Sequence, residues 1–394
     1  MTKKMIMAWM GILLLAGCTQ TEEAGMEPGS LDAVPIRFDC YSAEGSVCGD
    51  AISAKETRAA NGTTGFISSE NGHLYYTGFG VFAREKDATS FDFMSNQKVE
   101  YTFLANDPTT LYDGYWSYQP LKYWPHHYDS GEGKNIPTTL QFCAYAPYVE
   151  RPETPLPAGT KGIIDVSDAN APTPTIFYAR ANRLEEAVDL LWCYLESNTA
   201  ETAALQMSHA LARLGVSITL TSKAANIQKV LVERITLEGT IATQGTLDLT
   251  SDAEITEDEK TRRIPTWTVA SEDLTNIVID HDPASFDDSS TDTYSYGIIA
   301  ESVRYVEGLP ERWQPAGLQV GTTVNVLTQD DDQPTHILLI PQETLKLKAH
   351  LVLHIYYTDS TPEATVRRRT DSEVVIANPL QGNTPYNLNL QIAL

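Results

Sequence analysis

The sequence predicts an all-β fold of the sandwich class behind an export leader. Short runs rich in β-branched and aromatic residues recur between Gly, Pro, Asn and Asp, as strands bounded by turns do. One stretch alternates: Leu345, Leu347, Ala349, Leu351, Leu353 and Ile355 are separated by Lys346, Lys348, His350, Val352 and His354. That period of two marks a strand buried on one face. With 394 residues, 42% of them hydrophobic, the chain is long and apolar enough for two ordinary domains with cores.

The first element is the leader, residues 1–17. Lys3 and Lys4 open it, and Met5 to Leu15 is an almost uninterrupted apolar run. The run has the length of a signal h-region and is too short to span ~30 Å of hydrocarbon. It ends in Leu15-Ala16-Gly17-Cys18, where small residues expose the bond before a cysteine to signal peptidase II. Charge, apolar length, small residues and Cys fall in register, which favours a lipid-modified Cys18 over an ordinary signal peptide. More than one acyl chain on that residue anchors stably where a single chain is reversible. Residues 18–34 follow as a polar, acidic, structureless tether.

The body then reads as strands at Ile36 to Tyr41, Tyr75 to Ala83, Gln141 to Tyr148, Val216 to Thr221, Lys229 to Leu237, His336 to Pro341 and Lys346 to Tyr357. Two stretches read as minor helical insertions, Arg183 to Ser197 and Thr199 to Gly215, with Gly215 as a C-cap. In the first, Leu190, Leu191, Trp192 and Tyr194 also suit a buried strand. Glu150 to Thr160, Ser251 to Arg263 and Asp280 to Thr293 read as polar loops. A boundary near residue 212, where the Ala-rich segment gives way to strands, divides the body into 35–211 and 212–394.

The formal net charge is −24. Such a surface repels phosphate backbones and anionic headgroups, so nucleic acid is not an expected partner. Of five cysteines, Cys18 is consumed by lipid. Cys40, Cys48, Cys143 and Cys193 remain in an oxidising compartment, and four cysteines allow three pairings. No CxxC and no zinc spacing with His is present, so neither a metal nor a cofactor is expected.

Several stretches of the body occur in an order that carries a resemblance. Tyr76 to Ala83, Phe93 to Val99, Trp116 to Pro120, Lys122 to Pro125 and Phe142 to Tyr148 lie in the first half. Asp189-Leu190-Leu191, His209-Ala210-Leu211, Gly245 to Leu249, Ile340-Pro341-Gln342 and Tyr386 to Leu390 follow. From about Ile36 to the C-terminus the chain resembles the fimbrillin family of surface lipoproteins. The resemblance implies two transthyretin-like β-sandwich domains in tandem and a role as structural or adhesive pilus subunit. It also implies assembly with other subunits by donor-strand exchange, after an arginine-specific protease removes the N-terminal strand. Glu22 and Glu23 resemble the acidic patch that sends such lipoproteins to the outer face of the outer membrane.

Within that frame Arg58, in Glu56-Thr57-Arg58-Ala59-Ala60, is the expected cleavage site, giving a mature N-terminus at Ala59. A departing first strand cannot be bridged to the body, so Cys40–Cys48 is the expected disulfide, with Cys143 and Cys193 paired or both free. Trp116, Tyr118, Tyr123 and Trp124 are expected to pack a sheet edge or the core, with a carbohydrate-stacking platform as the rarer use of the same residues. Pro120 and Pro125 are expected to end strands.

No catalytic motif is present: there is no G-x-S-x-G, no P-loop and no dinucleotide-binding glycine pattern. His126-His127 reads as a solvated turn. Asp330 to Asp332, and Asp287, Asp288 and Asp292, lack calcium-loop spacing. No enzyme activity is expected. The rival readings are an anchored, non-polymerising surface protein that binds a glycan or host-cell ligand, and a secreted glycan hydrolase with an unrecognised site.

Overall fold

The computed structural model describes residues 34–42, 73–104, 114–168, 171–181, 187–199, 201–257, 260–280, 293–295, 299–326, 336–358, 366–376, 380–382 and 384–394. The strands of the first half are β1 (Phe38–Ser42), β2 (Phe79–Glu85), β3 (Met94–Phe103), β4 (Gly114–Ser117), β5 (His126–Asp129), β6 (Lys134–Pro137), β7 (Leu140–Ala146), β8 (Gly162–Val166), β9 (Thr175–Ala179), β10 (Leu191–Ser197) and β11 (Ala203–His209). Those of the second half are β12 (Ala212–Ser222), β13 (Ile227–Asp248), β14 (Glu254–Glu257), β15 (Lys260–Arg263), β16 (Thr266–Asp280), β17 (Thr293–Ser295), β18 (Thr323–Asn325), β19 (Ile337–Leu339), β20 (Leu345–Tyr357), β21 (Val366–Ile376) and β22 (Pro385–Ala393). Helix among the described residues is confined to α1 (His73–Thr77) and a 3-10 turn at Glu311–Trp313. The chain is all-β, as its alternation predicts. No described helix is long and apolar enough to cross a membrane.

A seven-stranded sheet runs β1-β11-β10-β7-β2-β3-β4. The second half builds two further sheets, one around β12 (with β18, β19 and β22) and one ordered β17-β16-β13-β20-β21. Strands β8 and β9 come from before residue 212 but join the latter, β9 pairing antiparallel with β13 from Gln244↔Ala179 to Asp248↔Thr175. Three cores result. One fills the first sheet's inner face, with Phe38, Phe79, Phe142 and Leu205. A second lies between the sheets of the second half, where β20 buries Leu345, Leu347, Ala349, Leu351, Leu353 and Ile355. The third joins the halves: Phe82, Cys143, Tyr145 and Trp192 pack against Ile163, Ile176, Tyr178 and Leu247. Strand β7 therefore meets core on both faces, and every one of its residues is buried.

Both expected helices are corrected to strands where they are described: Leu191–Ser197 of the first forms β10, and the second holds β11 (Ala203–His209) and the start of β12, while residues 183–186 and 200 lie outside the described residues. In β11, Ala203, Leu205, Met207 and His209 are buried while Ala204 and Gln206 are exposed, a period of two that outweighs the helix propensity of Ala and Leu. Gly215 sits inside β12, not at a cap. A Cβ there would stand 3.3 Å from the His336 ring and 3.6 Å from Asn387 Oδ1. The expected strand from Tyr75 begins late: Tyr75 to Thr77 are helical, and Gly78, at φ +64°, turns the chain into β2. His126-His127 stands in the exposed β5–β6 hairpin rather than in a turn, and Pro125 precedes a strand instead of ending one. Ser251 to Arg263 holds the short β14–β15 hairpin.

Candidate functional site

The first strand and the slot it fills form the most specialised local structure. β1 is the edge of its sheet and pairs parallel with β11, from Phe38↔Ala203 to Ser42↔Met207. The sequence Ile36-Arg37-Phe38-Asp39-Cys40-Tyr41-Ser42 alternates in burial, with Ile36, Phe38, Cys40 and Ser42 inward and Arg37, Asp39 and Tyr41 outward. The Phe38 ring meets Phe79 edge-on at 6.0 Å, Phe142 edge-on at 5.8 Å and Tyr118 at 5.4 Å. Burying Ile36 and Phe38 contributes roughly 1.5–3 kcal/mol each.

Backbone bonds fix where the strand enters. The Ile36 amide donates to the Lys122 carbonyl at 2.9 Å, and the Trp124 amide donates to Val34 at 2.9 Å. The Tyr118 hydroxyl donates to the Ile36 carbonyl at 3.0 Å. Burial pushes that phenol up to about 12, so it stays a donor across the physiological range. Tyr118 and Trp124 thus face the core, while Trp116 is half-buried on β4.

Cys40, Cys143 and Cys193 are buried free thiols. Cys193 lies opposite Ala144, and Cys143 opposite Tyr194, so the two sulfurs point to opposite faces of the sheet and belong to different cores. The register excludes the Cys143–Cys193 bridge left open by the sequence. Burial pushes Cys193 up to about 12 and raises Cys40 well above the usual thiol range, with Cys193 adding to the latter. Protonated thiols of this kind are poor nucleophiles. Cys18, Cys48, Arg58, Ala59 and the acidic positions Asp287, Asp288, Asp292 and Asp330 to Asp332 lie outside the described residues. Among the described residues no group of three or more His, Cys, Asp or Glu could hold a metal.

A cleft of about 730 Å³ opens between β1 and β4, lined on one side by Pro35 to Asp39 and on the other by Tyr75, Tyr101 and Gly114 to Tyr118. Behind the slot, two motifs that the sequence displays far apart meet: His209 Nδ1 lies 2.8 Å from Asp189 Oδ2, both side chains buried. The Asp189 Oδ1 accepts the Leu190 amide at 2.9 Å. The pair pins the end of β11 at the point where the chain passes into β12. Neither the cleft nor this contact carries a local sequence signal. The alternation from Ile36 to Ser42 does.

Among known proteins, the fimbrium subunit Fim1C of Phocaeicola vulgatus is 26% identical over 226 residues, which cover 54% of this chain and 50% of that protein. The chain thus spans about half the length of the curated relative it matches. A crystal structure of a fimbrial protein from Bacteroides ovatus is 12% identical with a TM-score of 0.28, covering 92% of this chain and 50% of that one. One of a protein proposed to act in cell adhesion, from Bacteroides uniformis, is 12% identical with a TM-score of 0.33, covering 87% and 98%. Scores this low leave the family match to identify the chain. The fimbrillin-like family model matches residues 57–393, and this chain belongs to that family.

Proposed function

We propose that this protein is a structural or adhesive subunit of a cell-surface pilus, exported as a lipoprotein and lipid-anchored to the outer membrane through Cys18. Cleavage after Arg58 frees β1 together with its anchor, and a strand from another subunit takes its place in the pilus. The observation that carries this reading is the build of β1: a short parallel edge strand, upstream of Arg58, whose alternate apolar side chains fill a slot in the core. Extended segments add to sheet edges by this combination of ladder hydrogen bonds and alternate side-chain pockets. Cys40 is bonded to neither Cys143 nor Cys193, so no described disulfide ties β1 to the body. A Cys40–Cys48 bridge would leave with the strand. The family match begins at residue 57, so β1 stands outside it. In this reading 35–211 and 212–394 are the two tandem sandwiches, sharing the third core.

An incoming strand would run parallel to β11 and place apolar side chains where Ile36, Phe38 and Cys40 now sit. N-terminal sequencing of the surface form, beside a denaturing-resistant ladder on gels, tests the proposal. A mature N-terminus at Ala59 with a ladder is the expected result. Full retention of residues 19–58 on the surface protein, without a ladder, would refute polymerisation by strand exchange.

A further inference from the structure

The cleft between β1 and β4 holds chemistry that strand replacement does not use. On one wall the rings of Tyr75 and Trp116 stack at 5.7 Å and 22°. Tyr101 packs on both, at 4.5 Å and 5.0 Å. Gly114 makes this packing possible, because a Cβ there would stand 2.6 Å from the Tyr101 ring and 2.3 Å from the Thr102 carbonyl. Tyr115, also lining the cleft, is 48% exposed. The other wall is mixed: Arg37 and Asp39 project from the outward side of β1 beside the apolar Pro35, Ile36 and Phe38, and Thr202 adds a hydroxyl.

A wall of aromatic rings that includes the exposed Tyr115, facing an Arg, an Asp and a Thr, selects a ligand that is apolar on one face and hydroxylated around its edge. Sugar rings have that form, their C–H faces meeting the negative face of an aromatic ring. A phosphorylated or acidic ligand fits poorly, since Arg37 shares its wall with Asp39 and the chain carries a net charge of −24. An acyl chain would leave Arg37, Asp39 and Thr202 without partners from the ligand. The volume lies within the ~300–1,000 Å³ of small-molecule sites and gives room for a short oligosaccharide.

We infer that the β1–β4 cleft binds a neutral saccharide, and binds it only while β1 is seated. Five consecutive β1-side residues, Pro35 to Asp39, form one wall, so the site is dismantled when that strand leaves. A ligand that binds one state alone stabilises that state by mass action. The saccharide would therefore hold β1 in place and delay its replacement. That consequence rests on the proposed departure of β1, whereas binding itself does not.

The test uses the intact chain on a printed panel of neutral and sialylated oligosaccharides, followed by titration with the neutral probe best retained. Retention of neutral probes is expected, weakened about tenfold or more by Tyr115→Ala and by Arg37→Ala. Both residues are exposed, so an unchanged Tm would confirm that the variants are folded. Trp116→Phe should keep more affinity than Trp116→Ala. Saturating saccharide should slow amide hydrogen exchange several-fold across Phe38–Ser42 and leave β22 unchanged. No retained probe, retention of sialylated probes only, or variants that bind as the parent does would overturn the site. Binding without slower exchange in β1 would overturn the coupling. If Arg58 proves uncut, binding and protection should both persist, so the two failures are distinguishable.

Discussion

Among the described edge strands that run parallel to the strand they border, β1 and β22 are held in different ways. β1 pairs with β11 over five residues, whereas β22 follows β12 over nine, from Arg213↔Pro385 to Ser222↔Ala393. The inward side chains are buried alike: Ile36, Phe38, Cys40 and Ser42 are 0%, 6%, 1% and 7% exposed, and Leu388, Leu390 and Ile392 are 6%, 4% and 7%. β22 has the longer ladder, and β1 leans more on its pockets, the Phe38 ring alone meeting three others. Their partners β11 and β12 are consecutive, joined through Ala210 and Leu211 beside the Asp189–His209 pair. In the proposed exchange, one backbone cut would release a strand held by pockets and another with the right side chains would replace it. A strand held along nine residues of ladder is the more permanent fixture.

The largest expected effect comes from removing the principal anchor of β1. Phe38→Ala should destabilise the protein by about 4 kcal/mol, because three rings would border the cavity left behind. Urea unfolding measures the loss, and hydrogen exchange should show β1 opening before β22. If Leu390→Ala proves the costlier change, the contrast between pockets and ladder fails. Asp189→Ala should cost about 3 kcal/mol by leaving His209 buried without this carboxylate. Because the pair lies between the two halves, exchange should quicken in β11 and β12 alike. A response confined to either strand would remove its role as a shared pin.

Tyr118→Phe removes the hydroxyl bond to the Ile36 carbonyl and should cost about 1 kcal/mol, felt in β1 and absent from β22. Equal exchange rates in parent and variant would show that water replaces the phenol. The smallest effect is electrostatic. Glu196, on β10, is held down to about 2 by the Gln141 amide first, then by the Tyr194 hydroxyl and Lys86. A carboxyl depressed from an unfolded value of ~4.3 stabilises the fold above that pH, and its contribution fades as pH falls towards 2. Its side chain is 36% exposed, so the contribution is under about 1 kcal/mol. Glu196→Gln should therefore flatten the stability curve between about pH 4 and 2, as followed by thermal unfolding at a series of pH values.

The alternation in β1 and β20 made those strands legible: β1 has one face in core and the other exposed, and β20 sets its apolar core residues against Lys346 and Lys348 in solvent and the buried His350 and His354 on its other face. The same rule fails for β10, where Trp192 enters the third core and Cys193 the first sheet's core. A strand buried on both faces gives a continuous apolar run, which has no period to read. β11 was obscured by the helix propensity of its Ala and Leu residues, which long-range pairing with β1 and β10 overrides. The slot was therefore visible in its occupant and hidden in its walls. Phe79, Tyr118, Phe142 and Leu205 come together from distant parts of the chain, and the cleft beside them draws on a longer span, from Pro35 to Thr202. No local pattern encodes such a meeting.

The common direction of β1 and β11 has a mechanical consequence. When one of two parallel strands is drawn along its axis while its neighbour is held, every rung of the ladder strains at once. A strand lifted from one end instead loses its rungs singly and yields to a far weaker force. A replacement strand seated in the same direction as β1 would inherit the stronger mode whenever a filament is stretched along its length. In the proposed exchange the same seat would be vacated from an end at little force, so one short strand would combine resistance to tension with ease of exchange.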